Sequence, residues 1–399
     1  MKHPQANTAV SAVTIANWQL FSMLLLALLL LAACSTAQPR RDNPAPCVMG
    51  SQCGDAMIEH AAGYRLGYLQ FNDDGDYAEP GQLERVLADI ETASANGLIL
   101  VAFTHGWKEN SGAQRWSVGA FKSMLSEIAG REDRLAAEQA RAARNVAGVF
   151  LGWPGRSSAL PGFSGLTFFD RGDAAERIAR SDDFGDALLR LKAVRDAVPT
   201  ADGSPGNQPG NQLILVGHSL GATMLYQRLA HEPLRSSGAI LSPIADLVLL
   251  LSPAIPASDV RTLEQLALAD RIVLPPILAI TSEDDATLRY AFPLGQWLNG
   301  ADDGSGGNGL AQLQAMGLHV PLITHRLELS GQGLSLIPTG AKSRHPELLQ
   351  ITVSDAIMTG HKDIANPRLV DFIAGVTALQ IDSRLSRAAL AQAFPDRNP

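Results

Sequence analysis

The residues best placed to do chemistry are Gly217-His218-Ser219-Leu220-Gly221, a G-x-S-x-G run. It lies directly behind the apolar segment Leu213-Ile214-Leu215-Val216 and directly before Ala222-Thr223-Met224-Leu225-Tyr226-Gln227-Arg228-Leu229-Ala230. A serine on a sharp strand-to-helix turn has strained dihedrals, and neighbours without side chains let strand and helix approach closely. Such a turn offers Ser219 as a nucleophile at the carboxyl end of a strand. A hydroxyl attacks poorly until a base takes its proton, and the base must be oriented by a carboxylate. The chain supplies both further on. Thr281-Ser282-Glu283-Asp284-Asp285 follows the apolar run Ile277-Leu278-Ala279-Ile280, which brings three carboxylates to the same edge. Asp285, a few residues beyond the strand, is the expected acid, with Asp284 and Glu283 as alternatives in that order. His361 follows the alternating stretch Leu349 to Met358 and precedes the amphipathic, helical spacing of Asn366 to Leu379. A histidine on the loop after the last strand can swing over the nucleophile, so His361 is the expected base. His319, His325 and His345 compete with it but fall in irregular sequence or beside Pro346.

Attack on a carbonyl also needs two backbone donors aimed at the developing negative charge. The amide of Leu220, directly after the serine and at a helix start, is one candidate. Thr104-His105-Gly106-Trp107 follows the apolar run Ile99 to Phe103, and the amide of Trp107 is the other.

Positioning these groups takes a sheet. Tyr64 to Phe71 alternates as a strand does, Asn72-Asp73-Asp74-Gly75 supplies a turn, and Gln82 to Thr92 has helical spacing. Ile99–Phe103, Val146–Leu151, Leu213–Val216, Leu247–Leu251 and Ile277–Ile280 are short apolar runs separated by helical stretches. Strands buried on both faces read this way, and the alternation predicts an α/β chain with a mostly parallel central sheet flanked by helices. Two segments near 155–170 and 294–340 break the rhythm as cap-like insertions. The first holds Leu160, Phe163, Leu166, Phe168 and Phe169 among Gly, Pro and Ser; the second holds Gly304-Ser305-Gly306-Gly307-Asn308-Gly309, read as a flexible loop.

The 399 residues, 46% apolar and 18% charged, suffice for one large domain, and the net charge of -8 disfavours nucleic acid as a partner. No H-E-x-x-H or paired C-x-x-C run suggests a metal site, and the expected chemistry requires no cofactor.

From about Leu98 to Thr377 the chain resembles the α/β-hydrolase superfamily, its Gly-His-Ser-Leu-Gly elbow being most similar to those of lipases and esterases. The resemblance implies the α/β-hydrolase fold and a triad in the chain order Ser219, Asp285, His361. Trp107 stands where the glycine-rich oxyanion motif of lipases and esterases would carry a further glycine, implying a narrower or differently shaped acyl site. A dehalogenase of this superfamily is expected to use an aspartate nucleophile, and Ser219 argues against it.

The amino terminus reads as an address. Leu24 to Leu31 is an apolar run too short to span a bilayer comfortably, and it ends in Leu31-Ala32-Ala33-Cys34, which resembles the lipobox of bacterial lipoproteins. The resemblance implies cleavage before Cys34 and lipidation of Cys34. Ser35, where the inner-membrane retention signal would place an aspartate, favours the outer membrane. The expected organisation is a signal peptide over 1–33, a lipidated tether over 34–61 and the hydrolase domain over 62–399. In an oxidising compartment Cys47 and Cys53 are close enough in sequence for a small disulfide loop.

The expected function is hydrolysis of carboxylic esters, of small molecules or lipids, through an acyl-enzyme, at the periplasmic side of the cell envelope. The apolar stretch Phe163 to Phe169, with Trp107 and Trp153, is expected to wall an acyl or aromatic pocket, or else to be packing. A thioesterase, peptidase or acyltransferase uses the same residues, and a noncatalytic binding lipoprotein is the alternative from another class.

Overall fold

The computed structural model describes residues 40–48, 53–156, 167–197, 210–231, 243–260, 274–293, 314–330, 333–341 and 348–381. In chain order its strands are β1 (Cys47–Val48), β2 (Ile58–Ala61), β3 (Tyr64–Gln70), β4 (Leu98–Thr104), β5 (Asn145–Gly152), β6 (Gln212–His218), β7 (Leu247–Leu251), β8 (Ile277–Ser282), β9 (His325–Ser330), β10 (Gly333–Pro338) and β11 (Leu348–Val353). The longer helices are α1 (Gln82–Glu91), α2 (Trp116–Glu138), α3 (Thr167–Arg180), α4 (Asp182–Asp196), α5 (Leu220–His231) and α6 (Pro367–Ile381).

The strands form one sheet in the order β1-β2-β3-β5-β4-β6-β7-β8-β11-β9-β10. From β3 through β11 every neighbouring pair is parallel, so these strands deliver their carboxyl ends to one edge. Only β2 against β3 and β10 against β9 run antiparallel. The five apolar runs of the sequence are β4 to β8, and their burial on both faces shows why they carry no polar alternation. Leu98, Leu100 and Ala102 of β4 pack into one core, while Ile99, Val101 and Phe103 pack into the other. The first core takes Leu83, Val86, Leu87 and Ile90 of α1 with residues of α3, α4 and α5; the second takes residues of α2 and α6. This is the α/β-hydrolase fold, a mostly parallel sheet with helices on both faces.

Two segments differ from their sequence reading. The Pro- and Arg-rich stretch read as tether is built into the domain from residue 40 onward, because Arg41 is fully buried. Its Nε donates to the Ser111 carbonyl at 2.8 Å, and its Nη1 donates to Glu59 Oε1 at 2.9 Å and to the Cys53 carbonyl at 3.0 Å. The guanidinium also lies 3.6 Å from the Tyr68 ring centroid, and Tyr68 Oη donates to the same Glu59 oxygen at 2.8 Å. Cys47 and Cys53 are joined by a disulfide beside this cluster. The second insertion is regular from Met316 onward: two 3₁₀ turns lead to the β9–β10 hairpin, which joins the sheet through β11. The alternation of Leu327 and Leu329, paired with Leu336 and Leu334 across the two strands, accounts for it. The glycine run Gly304–Gly309 and residues 157–166 of the first insertion lie outside the described residues, as do Cys34 and the segment before it.

Removing the cation of a buried ion pair leaves the carboxylate under-compensated, which is more costly than having no ion pair at all. Arg41→Met, which leaves Glu59 with Lys122 as its remaining cation at 2.5 Å, is expected to cost about 3 kcal/mol in urea unfolding; a loss below 1 kcal/mol would show that the strap contributes little.

Candidate active site

β6 passes into α5 through a single residue, Ser219, whose φ of 55° lies in the left-handed region. The flanking glycines are sterically required. A Cβ on Gly217 would lie 2.6 Å from Ala222 Cα, and one on Gly221 would lie 2.3 Å from the Thr104 carbonyl oxygen. The elbow thus rests on the loop after β4. Gly106 closes the contact from the other side, since a Cβ there would lie 2.6 Å from Ser219 Cβ.

Ser219 Oγ lies 2.8 Å from His361 Nε2, and His361 Nδ1 lies 2.8 Å from Asp285 Oδ2. A carboxylate only accepts, so Nδ1 carries the proton and Nε2 is left to accept from the hydroxyl. Asp285 is fully buried on the turn after β8, and its Oδ1 accepts the Leu288 amide at 2.9 Å. Burial alone raises its pKa, but the hydrogen bond and charge of His361, the Leu288 amide and the Ser252 hydroxyl outweigh that and hold it below the ordinary carboxylate value. Of the alternatives, Asp284 is exposed and Glu283 pairs with Arg326 at 3.1 Å. The acid turn and the histidine loop are tied together, for Ser282 Oγ donates to the Met358 carbonyl at 2.7 Å. His319 contacts Gln314, and His325 sits in β9 beside Thr324. His345 lies outside the described residues.

Two further histidines serve the arrangement, and sequence reasoning gave neither a role. His218, the variable residue of the elbow, is buried, and its Nε2 donates to the His361 carbonyl at 2.8 Å. Trp116 packs edge-on against its ring. Burial, then the neighbouring His361, pushes its pKa down to about 3, so the ring is neutral. His105 is likewise neutral, its pKa lowered by burial to about 4. Its Nε2 accepts the Trp153 amide at 3.1 Å, so Nδ1 carries the proton and donates to the Gly106 carbonyl at 3.0 Å. The peptide bond is trans, which sets the Trp107 N–H opposite the carbonyl that His105 holds. Leu220 opens α5, where the first amides have no acceptor within the helix. Nothing in a lone histidine's neighbours along the chain signals either bond, because both partners are backbone atoms fixed by the fold.

The aromatic residues divide between wall and core. Trp153 is fully buried and its indole N–H donates to the His105 carbonyl at 2.9 Å, so it is packing and walls no pocket. Trp107 and Phe168 are part-buried and meet edge to face with centroids 5.3 Å apart, and Phe292 extends the row behind Phe168. Phe168 stands on α3, not in an irregular cap. Phe163 and the Phe169 side chain lie outside the described residues.

No family model matches the chain, and no curated protein matches it. Among solved structures it is similar to TT1662 from Thermus thermophilus, at 13% identity over 72% of this chain and 90% of that one, with a TM-score of 0.34. It is also similar to a cutinase-like protein from Cryptococcus sp., at 14% identity over 72% of this chain and 96% of that one, with a TM-score of 0.30. An S-formylglutathione hydrolase from Staphylococcus aureus aligns at 12% identity over 73% of this chain and 84% of that one, with a TM-score of 0.31. Likenesses of this size say nothing of reaction or substrate, which are read from the geometry alone.

His218 fixes the backbone that carries His361. His218→Phe keeps a ring without the donor and should lower kcat about 10- to 100-fold with KM little changed, because small misplacements of a reacting group are costly. His218→Gln restores a donor and should recover most of that loss; equal kcat in all three proteins would remove the assignment.

The two neutral histidines also set an acid limit on stability. Below an ordinary imidazole pKa of about 6.5 the unfolded chain binds protons that folded His105 and His218 refuse, so stability falls as pH drops from 6.5 toward 4. By pH 5 the loss is on the order of 2 kcal/mol per histidine. Urea midpoints at pH 7 and pH 5 measure it, and His218→Gln should remove about half of the difference.

Proposed function

We propose that the chain is a serine hydrolase of carboxylic esters. The observation that carries this reading is the continuous relay of two 2.8 Å contacts from the Asp285 carboxylate through His361 to the Ser219 hydroxyl. Ser219 Oγ attacks the ester carbonyl while its proton passes to His361 Nε2. The Asp285 carboxylate, kept ionised by its donors, stabilises the imidazolium and keeps Nδ1 protonated throughout. The Leu220 and Trp107 amides hold the tetrahedral oxyanion, the first at the positive end of α5 and the second on the peptide that His105 orients. Collapse of the intermediate expels the alcohol, which takes the proton from His361, and water repeats the sequence to release the acid. Trp107 and Phe168, backed by the buried Phe292, form an apolar wall suited to an acyl or aromatic group.

The lipobox-like Leu31-Ala32-Ala33-Cys34 supports attachment of this domain to a bacterial envelope membrane through Cys34, with Ser35 favouring the outer membrane. Several acyl chains at about 0.8 kcal/mol per buried methylene suffice for a stable anchor. In this reading residues 1–33 are a signal peptide, and the leash between lipid and domain is the short stretch before Arg41.

A fluorophosphonate probe on the full chain, mapped by mass spectrometry, is expected to label Ser219 and to lose that adduct in Ser219→Ala. Asp285→Asn should fold normally and lower kcat by about 10⁴, since the wrong tautomer then faces the serine. Labelling that survives Ser219→Ala, or a folded wild type that never labels, would sink the reading.

A further inference from the structure

The protein carries a net charge of -8, yet the loops that meet at the reactive serine bring cations together. Lys108 follows Trp107 on the loop after β4, Arg156 follows Gly155 on the loop after β5, and Lys362 follows His361 on the loop after β11. The first two loops are stitched to each other, the Lys108 amide donating to the Gly155 carbonyl at 2.6 Å and the Gly155 amide to the Glu109 carbonyl at 3.2 Å. The third is set against the elbow by the bond from His218 to the His361 carbonyl.

Of the nearby carboxylates, all but the exposed Asp284 are engaged elsewhere. Glu109 pairs with Arg115 at 2.6 Å, Asp285 with His361 at 2.8 Å and Glu283 with Arg326 at 3.1 Å. Asp363 accepts from Thr359 and Asn366. Among the described residues Lys108 and Lys362 therefore form no ion pair. Lys108 is also held in a conformation that a side chain disfavours, with φ 65°, and its Nζ lies 3.8 Å over the Trp107 ring. Arg115 donates to its carbonyl and fixes that peptide from behind. Partial burial, then the charges of Lys362 and Arg156, weakens the hold of Lys108 on its proton. Gathering like charges around a part-buried ammonium is unfavourable until an anion enters among them. A strained non-glycine residue kept at such a place marks function more often than chance.

We propose that the mouth of this site selects esters bearing a negative charge, with Lys108 and Lys362 as the groups that recognise it. The proposal rests on the serine-hydrolase reading and specifies its substrate class. The ammonium of Lys108 is seated on the indole whose backbone amide receives the oxyanion, so the anionic group lies about one side chain's length from the scissile carbonyl. Carboxylate and phosphate share the chemistry that two lysines recognise.

The test compares 4-acetoxybenzoate with its neutral methyl ester, each rate normalised to hydroxide hydrolysis of the same compound. The wild type is expected to favour the anionic ester in kcat/KM by about tenfold at low ionic strength and to lose that preference in high salt. Lys108→Gly, which suits the left-handed backbone, and Lys362→Gln should each reduce the anionic-to-neutral ratio several-fold. Short-chain phosphatidylglycerol against phosphatidylcholine, and inorganic phosphate as an inhibitor of the neutral ester, separate a lipid headgroup from a free anion. An unchanged ratio in both variants, or no preference in the wild type while Ser219→Ala abolishes turnover, overturns the proposal and leaves the hydrolase reading standing. Absence of both turnover and fluorophosphonate labelling in a folded wild type takes down both.

Discussion

Ser219 stands in the left-handed backbone region at φ 55°, and the reactive end is built around keeping it there. That conformation costs an L-residue about 1–2 kcal/mol. It persists because it is held from several directions: the Ser219 amide donates to the Leu251 carbonyl at 3.0 Å, and its own carbonyl accepts the Thr223 amide at 3.1 Å. The glycines at 106, 217 and 221 let the surrounding backbone close on the turn, so relaxing the serine would pull β6, β7 and α5 apart together. The hydroxyl is aimed by packing that belongs to the whole sheet.

Three histidines lie at this end, and their surroundings give them different work. His361 shares its ring between a carboxylate and a hydroxyl, which is the arrangement that lets it gain and lose a proton. His218 lies 5.0 Å from it, ring centre to ring centre, and a charge there would oppose the imidazolium that the reaction needs. Burial prevents this by keeping His218 neutral, and the same holds for His105 between Phe150 and Trp153. Under the proposed reaction, proton traffic is thereby confined to His361, while the other two act as fixed donors to backbone carbonyls.

The central strands were readable in the sequence because doubly buried strands need unbroken apolar runs, and the elbow because only glycine tolerates such contacts. The positions of Asp285 and His361 followed from parallel topology, since loops after successive strands must meet at one edge. What escaped reading depends on partners distant in sequence. Arg41 looked like tether because its acceptors are Ser111, Glu59 and the Cys53 carbonyl, none of which a local pattern announces. Trp153 was readable as apolar but not as core or wall, a distinction set by the neighbouring loop. The β9–β10 hairpin was obscured by the glycine run before it, although its own alternation is regular.

The burial of Arg41 changes how the amino terminus relates to the site. Arg41 bonds the Ser111 carbonyl, and Ser111 belongs to the loop that carries Trp107 and Lys108. The same loop is held by Arg115, which bonds the Lys108 carbonyl, and by Glu109, which bonds Arg115 and the Ser117 hydroxyl. Arg41 also places its amide on the Gln70 side chain at the carboxyl end of β3, the edge at which Ser219 opens. The chain therefore enters the domain on the reactive side. A leash of seven residues from Cys34 to Arg40 extends at most about 25 Å. Under the proposed lipid attachment, that reach sets the site's edge close to the bilayer surface, with the oxyanion loop braced by the strap that bears the anchor.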